Sequence, residues 1–127
     1  MKRVTGLGGV FFKSKDPAGI KKWYADHLGI ESGEHGGGFQ WREMDDPEKE
    51  GFTAWSIFDD KTNYFVPSES AFMLNYRVEN LEELLKTLEA EGVQVVGEIE
   101  SYSYGKFGWI LDPEGRKIEL WEPGGKF

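Results

Sequence analysis

The chain has 127 residues, of which 39% are hydrophobic and 30% charged, and this predicts one globular domain with a hydrophobic core. The absence of cysteine excludes disulfides, zinc–thiolate and iron–sulfur sites and thiol nucleophiles, and the net charge of -8 disfavours nucleic acid and anionic membrane surfaces as partners. No apolar run approaches the roughly 20 residues of a membrane span and the N-terminal stretch lacks a signal-peptide pattern, so we expect a cytoplasmic protein.

The first half of the chain predicts a strand, a helix and three further strands. Residues 4–13 have the apolar pattern of a strand, and Asp16 with Pro17 is typical of a helix N-cap and first turn. Gly29 is expected to end this helix, and Trp23 on its face is expected to join the core. The three further strands are expected at residues 39–44, 52–58 and 64–66.

The second half predicts the same order of elements. A strand at residues 71–78 precedes a helix that Asn80 caps, with Glu83 at the capping-box position and Gly92 at its end. Strands are expected at residues 93–99, 107–111 and 117–121. The repeated order indicates an internal duplication, and we expect the two halves to pack together and enclose a concavity.

The closing segment places one carboxylate among apolar side chains. Residues 112–115, Asp-Pro-Glu-Gly, predict a tight turn between two strands, and alternation puts Glu119 and Trp121 on one face of the second strand. A carboxylate among aromatic rings needs a partner, a ligand or a raised pKa. Three roles for Glu119 stay open: a surface ion pair with Lys106, Arg116 or Lys117, a contact to an organic ligand, or a general acid or base.

The opening VFFKSKDP, the following WYADHLGI and the closing FGWILDPEGRKIELWEP resemble the glyoxalase / bleomycin-resistance / extradiol dioxygenase superfamily, the vicinal oxygen chelate proteins. The resemblance covers essentially the whole chain. It implies an α+β fold in which two βαβββ modules form a half-open, barrel-like sheet around a cavity. We expect a single domain over residues 1–127, with one module in about 1–67 and the second in about 68–127. Homodimers are common in the superfamily, so a homodimer is expected here.

The resemblance also implies where a metal would bind in the metal-dependent members. Their His, Glu or Gln ligands come from the first strand and the last long strand of each module. Glu119 matches the last ligand, whereas the others fall near Gly9, near Met73 and at Trp55 or Ser56. Since one carboxylate and a hydroxyl cannot replace three or four donors, we expect no metal. The alternative cofactor is a divalent metal such as Zn, Ni, Fe or Mn.

The two histidines are the remaining candidates for metal ligands. His27 lies near the end of the first helix, where a cation is favourable, and we expect it at the surface. His35 lies in a Gly-rich loop that could reach the site, although no sequence pattern supports this.

Aromatic residues make up 15% of the chain, which suits an apolar pocket as well as a core. Tyr102 and Tyr104 precede the closing hairpin and could form a flap. The predicted ligand-binding residues are Trp41, Trp55, Met73, Asn75, Tyr104, Phe107, Trp109, Glu119 and Trp121. Such a pocket would suit a flat aromatic or cationic molecule, unless the rings simply fill it.

The sequence therefore predicts a metal-free member of the superfamily that binds a small organic ligand, with sequestration of a toxic compound as one form of this function. The alternative is an enzyme of the lyase, isomerase or dioxygenase type that uses Glu119 as its catalytic residue, with or without a divalent metal. A non-catalytic auxiliary domain is the third possibility.

Overall fold

The computed structural model describes residues 2–34 and 36–124, which form an α+β fold of strands and two helices. In chain order the elements are β1 (Val4–Ser14), α1 (Pro17–Leu28), β2 (Gly37–Arg42), β3 (Glu50–Asp59), β4 (Phe72–Val78), α2 (Leu81–Ala90), β5 (Val95–Tyr102), β6 (Gly105–Leu111) and β7 (Lys117–Pro123). This confirms the fold class predicted from the sequence. Neither helix is long and apolar enough to cross a membrane.

The strands form one open, mixed sheet in the order β2-β3-β1-β4-β7-β6-β5. β1 runs parallel to β3, β4 runs parallel to β7, and the other neighbouring pairs are antiparallel. The two halves of the chain join where β1 pairs with β4. Each half has a strand, a helix and a later strand that returns parallel to the first, so the sequence repeat corresponds to a structural repeat.

The register aligns four positions in one row across the central strands. Ala54 on β3 lies beside Gly9 on β1, Gly9 lies beside Asn75 on β4, and Asn75 lies beside Glu119 on β7. Ala54 in the first half thus occupies the position that Glu119 occupies in the second. The resemblance placed the family's ligand positions near Met73 on β4 and at Trp55 or Ser56 on β3. In the structure, Asn75 and Ala54 lie in this row instead.

Both helices begin where their capping residues predict. The Asp16 carboxylate accepts the N–H of Gly19 at 3.1 Å, and the Asn80 side chain accepts the N–H of Glu83 at 3.3 Å. The apolar stripe of α2 is buried in a cluster with β4 and β7, which consists of Val78, Leu81, Leu84, Leu85 and Leu120.

The expectation that Trp23 joins the core is wrong, because its side chain is 47% exposed. Only one of two adjacent aromatic residues on α1 can face the sheet. Tyr24 takes that place, with its ring 5.9 Å from Phe12 and 5.0 Å from Trp55. The exposed Trp23 ring packs against His27 instead, with ring centroids 5.0 Å apart.

The strand predicted at residues 64–66 is also wrong, since this segment forms turns. Val66 N–H bonds to the Asn63 carbonyl and Ser68 N–H bonds to the Phe65 carbonyl, which are local rather than cross-strand bonds. Phe65 is completely buried against Phe11 and other aromatic residues. The apolar content of the segment therefore reflects burial, and two strands follow α1 in the described part of the first half.

Candidate functional site

A cavity of about 390 Å³ lies on the face of the sheet opposite the helices. Residues on β1, β3, β4, β5, β6 and β7 line it, so the sheet curves around the space. Aromatic side chains form most of the wall, and among the described residues Glu100 and Glu119 supply its carboxylates. This combination of apolar surface with few polar groups is typical of small-molecule sites.

Glu119 is buried at the wall of the cavity, with 3% of its surface exposed, and three side chains donate hydrogen bonds to it. Its Oε1 accepts from Asn75 Nδ2 at 2.9 Å. Its Oε2 accepts from the Tyr64 hydroxyl at 2.7 Å and from Trp109 Nε1 at 3.3 Å. Because an ionised carboxylate only accepts hydrogen bonds, this arrangement suits the charged form.

Strand register and alternation bring these groups together. Leu120 packs in the cluster under α2, so its neighbours Glu119 and Trp121 face the cavity. Trp109 lies opposite Glu119 in the antiparallel β6–β7 pair, as Asn75 lies beside it in the parallel β4–β7 pair.

The turn after β3 supplies the fourth member of the group, Tyr64. Lys117 Nζ donates to the Tyr64 carbonyl at 2.8 Å and lies 5.3 Å from the centroid of its ring. The Tyr64 ring also stacks on Phe58, with centroids 5.6 Å apart and an interplanar angle of 9°. These contacts fix the hydroxyl over Glu119.

Burial raises the pKa of Glu119, while the hydrogen bonds from Tyr64, Asn75 and Trp109 and the charge of Lys117 act in the opposite direction. Burial and the charge of Glu119 raise the pKa of Tyr64, so its hydroxyl stays a donor at neutral pH. The hypothesis that Glu119 forms a surface ion pair is wrong, because Glu119 is buried. Two of the partners predicted for it form ion pairs elsewhere: Lys106 with Glu82, and Arg116 with Asp112 and Glu114.

The sequence matches the family model of the Glyoxalase/Bleomycin resistance protein/Dioxygenase superfamily over residues 7–120. The chain belongs to this superfamily. The resemblance carried by its opening and closing segments is thereby confirmed. A comparison with curated proteins gives no match.

Solved structures of superfamily enzymes share the fold. Methylmalonyl-CoA epimerase from Mycobacterium tuberculosis is 22% identical, with 98% of this chain and 91% of that chain covered and a TM-score of 0.61. A Streptomyces coelicolor methylmalonyl-CoA epimerase variant in complex with 2-nitronate-propionyl-CoA is 13% identical, with 94% and 98% covered and a TM-score of 0.68. The Mn(II)-bound glyoxalase from Novosphingobium aromaticivorans is 20% identical over 100% of this chain but 42% of its own, with a TM-score of 0.60.

The residues of the central row do not fit the divalent metal of metal-dependent superfamily members. Gly9 and Ala54 have no side-chain donor atom, Asn75 offers a single amide oxygen, and both oxygens of Glu119 already accept hydrogen bonds from side chains. Hard divalent and first-row metals need several converging oxygen or nitrogen donors. Within residues 2–34 and 36–124, no three His, Cys, Asp or Glu side chains form a group that could hold a metal. His27 is exposed at the end of α1, and His35 lies outside the described residues.

The structure brings most of the predicted ligand-binding residues to the cavity, namely Asn75, Tyr104, Phe107, Trp109, Glu119 and Trp121. Trp55 instead faces α1 and packs against Tyr24, because alternation directs it away from its neighbour Ala54. Trp41 lines a separate groove, where its Nε1 donates to Thr53 at 2.8 Å. Met73 is buried beside the cavity in the cluster that contains Phe11 and Phe65.

Sequence reasoning did not identify Tyr64 or Glu100 as site residues. Glu100 lies two residues before Tyr102 on the same face of β5. Because side chains alternate along a strand, the prediction that Tyr102 lies over the cavity could have identified Glu100 as well. Tyr64 had no comparable signal, because its approach to Glu119 depends on the turn after β3.

Proposed function

We propose that this protein binds a small organic molecule with a planar aromatic or cationic part, and that it does so without a metal. The observation that carries the proposal is an aromatic cavity whose buried carboxylate, Glu119, is held by three protein side chains. A carboxylate held in this way is available as a fixed negative end of a binding site. Sequestration of a toxic compound is one form of such binding.

The ring geometry of the wall supports this function. Phe107 and Trp121 are parallel, with centroids 5.9 Å apart and an interplanar angle of 5°. Tyr102 and Tyr104 are also parallel, with centroids 5.3 Å apart. Flat surfaces of this kind stack on a planar ligand, and each aromatic pair contributes about 0.5–1.5 kcal/mol beyond its buried area.

An enzyme that transfers a proton, as an isomerase or lyase would, is the second candidate. The hydrogen bond of 2.7 Å between Tyr64 and Glu119 is the observation that favours it, since such a pair can exchange a proton with a ligand. Burial raises the pKa of Glu119 and the three donors act in the opposite direction, so its basicity does not rank catalysis above binding. Binding comes first because both carboxylate oxygens already accept hydrogen bonds from the protein. An auxiliary domain without a ligand is the least favoured, because the cavity is open.

Isothermal titration calorimetry with naphthalene-1-methanol and quinoline, before and after treatment with EDTA, tests the proposed function. We expect one site per chain, unchanged by the chelator. Tyr104→Ala should weaken binding about two- to tenfold through the lost ring contact. Phe39→Ala is the matched control, since Phe39 is equally exposed on β2 but does not line the cavity.

The proposal fails if neither probe binds, or if elemental analysis finds a stoichiometric divalent ion that Glu119→Gln removes. Turnover of a probe with loss of activity in Glu119→Gln would favour the enzyme instead. We also propose a homodimer, as in many superfamily members, and light scattering coupled to size exclusion measures this directly.

A further inference from the structure

The charges that line the cavity have one sign. Among the residues that the structure describes, Glu100 and Glu119 line it, and no Lys, Arg or His does so. We propose that the ligand is an organic cation, a protonated nitrogen on an aromatic frame, held between these two carboxylates. This inference rests on the proposed function and specifies the class of ligand for the same cavity.

An aromatic path leads from the exposed edge of the cavity inward. Tyr102 ends β5 and Tyr104 lies in the tight β5–β6 turn. Both are about half exposed, and the Tyr102 hydroxyl donates to Glu100. The Phe107 ring meets both tyrosines edge-on at 5.9 and 5.7 Å and stacks on Trp121. Ring faces attract cations by about 0.5–2 kcal/mol per contact, so this path suits a positively charged group.

The inner end of the cavity contains an acceptor that lacks a donor. Asn75 is 2% exposed and its Nδ2 donates to Glu119, which fixes the orientation of the amide. Its Oδ1 is buried and has no hydrogen-bond partner among the described residues. A Cβ atom on Gly8 would lie 2.1 Å from this oxygen, so Oδ1 is directed towards a cavity-lining residue without a side chain. A buried acceptor of this kind favours a ligand N–H.

The basic groups nearest the cavity are engaged elsewhere. Lys117 Nζ donates to the Tyr64 carbonyl and lies over the rings of Tyr64 and Trp109. Burial lowers the pKa of Lys117 although Glu119 and Glu100 raise it. The Arg77 guanidinium lies between Trp41 and Trp121, 5.2 Å from the centroid of each ring. Lys117 offsets only part of the charge of Glu119, so the two carboxylates leave the cavity with a net negative charge.

Calorimetry with three naphthalenes that differ only in the group at position 1 tests the charge preference. The cation is naphthalene-1-methylammonium, the neutral compound is naphthalene-1-methanol, and the anion is naphthalene-1-carboxylate. We expect the cation to bind about tenfold more tightly than the neutral probe, and the anion most weakly. Glu119→Gln should remove most of this preference.

Glu100→Gln should weaken cation binding up to about fivefold, as expected for a partly exposed ion pair, and leave the neutral probe unchanged. Glu98→Gln is the matched control, because it removes the same charge from an exposed position of β5 outside the cavity. The comparison of Glu100→Gln with Glu98→Gln keeps the test decisive if Glu119→Gln does not fold.

Equal binding of the three probes, or tightest binding of the anion, would overturn the inference and leave the proposed function intact. The same conclusion follows if Glu100→Gln and Glu98→Gln weaken cation binding equally. Failure of all three probes to bind would instead contradict the proposed function itself.

Discussion

Replacing Tyr64 with Phe removes one hydroxyl from the centre of the site and should lower the free energy of unfolding. The hydroxyl donates to Glu119 at 2.7 Å, whereas the ring and its stacking on Phe58 remain. No apolar volume is lost, so the cost is that of the hydrogen bond alone. A hydrogen bond to a charged group contributes about 1.5–3 kcal/mol, and we expect a loss of this size for Tyr64→Phe.

Urea unfolding at neutral pH and fixed protein concentration measures this loss. Tyr24→Phe is the matched control, because it removes the same atom from a ring that packs on the helix side against Phe12 and Trp55. A cost for Tyr64→Phe that does not exceed the cost for Tyr24→Phe would refute the assigned role of the hydroxyl.

The cost of Tyr64→Phe should also depend on pH. A protonated carboxyl is a weaker acceptor than a carboxylate, so in acid the loss should approach the roughly 0.5–1.5 kcal/mol of a neutral pair. Equal costs at neutral pH and near the ordinary glutamate pKa of about 4.3 would show that Glu119 is not the charged partner.

Three further substitutions test other parts of the site and the fold. Burial raises the pKa of Glu119 above its value in the unfolded chain, so its contribution to stability is most favourable in acid and declines as pH rises towards neutrality. We compare the unfolding free energy of the wild type with that of Glu119→Gln by urea titration at several pH values. The difference, wild type minus variant, should fall as pH rises over this range, by about 1.4 kcal/mol per unit of pKa elevation. A flat or rising difference would contradict this. Gly8→Ala should cost about 1–3 kcal/mol, because its Cβ would lie 2.1 Å from Asn75 Oδ1, whereas Gly33→Ala meets no atom within 4 Å and serves as control. Asn80→Ala should cost about 1 kcal/mol through loss of the α2 cap, and an unchanged thermal midpoint by circular dichroism would argue against that cap.

The sequence predicted those elements whose ends are encoded locally. Asp16 and Pro17 specify the start of α1 because a carboxylate accepts the free N–H groups of the first turn. The turn before β7 forms as predicted, with Gly115 N–H bonded to the Asp112 carbonyl at 3.0 Å and Gly115 at a φ of 84°. Residues 64–66 have strand-like composition, but composition reports burial and does not specify a pairing partner.

The site could be predicted only where local alternation was sufficient. Alternation correctly placed Glu119 and Trp121 on one face of β7. On β3, alternation implies that Ala54 and Trp55 face opposite ways, but it does not say which of them faces the cavity. Tyr64 could not be predicted as a partner of Glu119, because their contact joins segments 55 residues apart.

The hydrogen bonds of Glu119 and the residues of the central row are consistent with each other. A buried carboxylate must be compensated, either by a cation or by donors from the protein. Gly9 and Ala54 cannot supply co-ligands for a cation, and a Cβ on Gly9 would lie 2.8 Å from the ring of Phe11. Donors from Tyr64 and its neighbours provide the compensation instead. Under the proposed function, this carboxylate then forms part of the surface that holds the organic ligand.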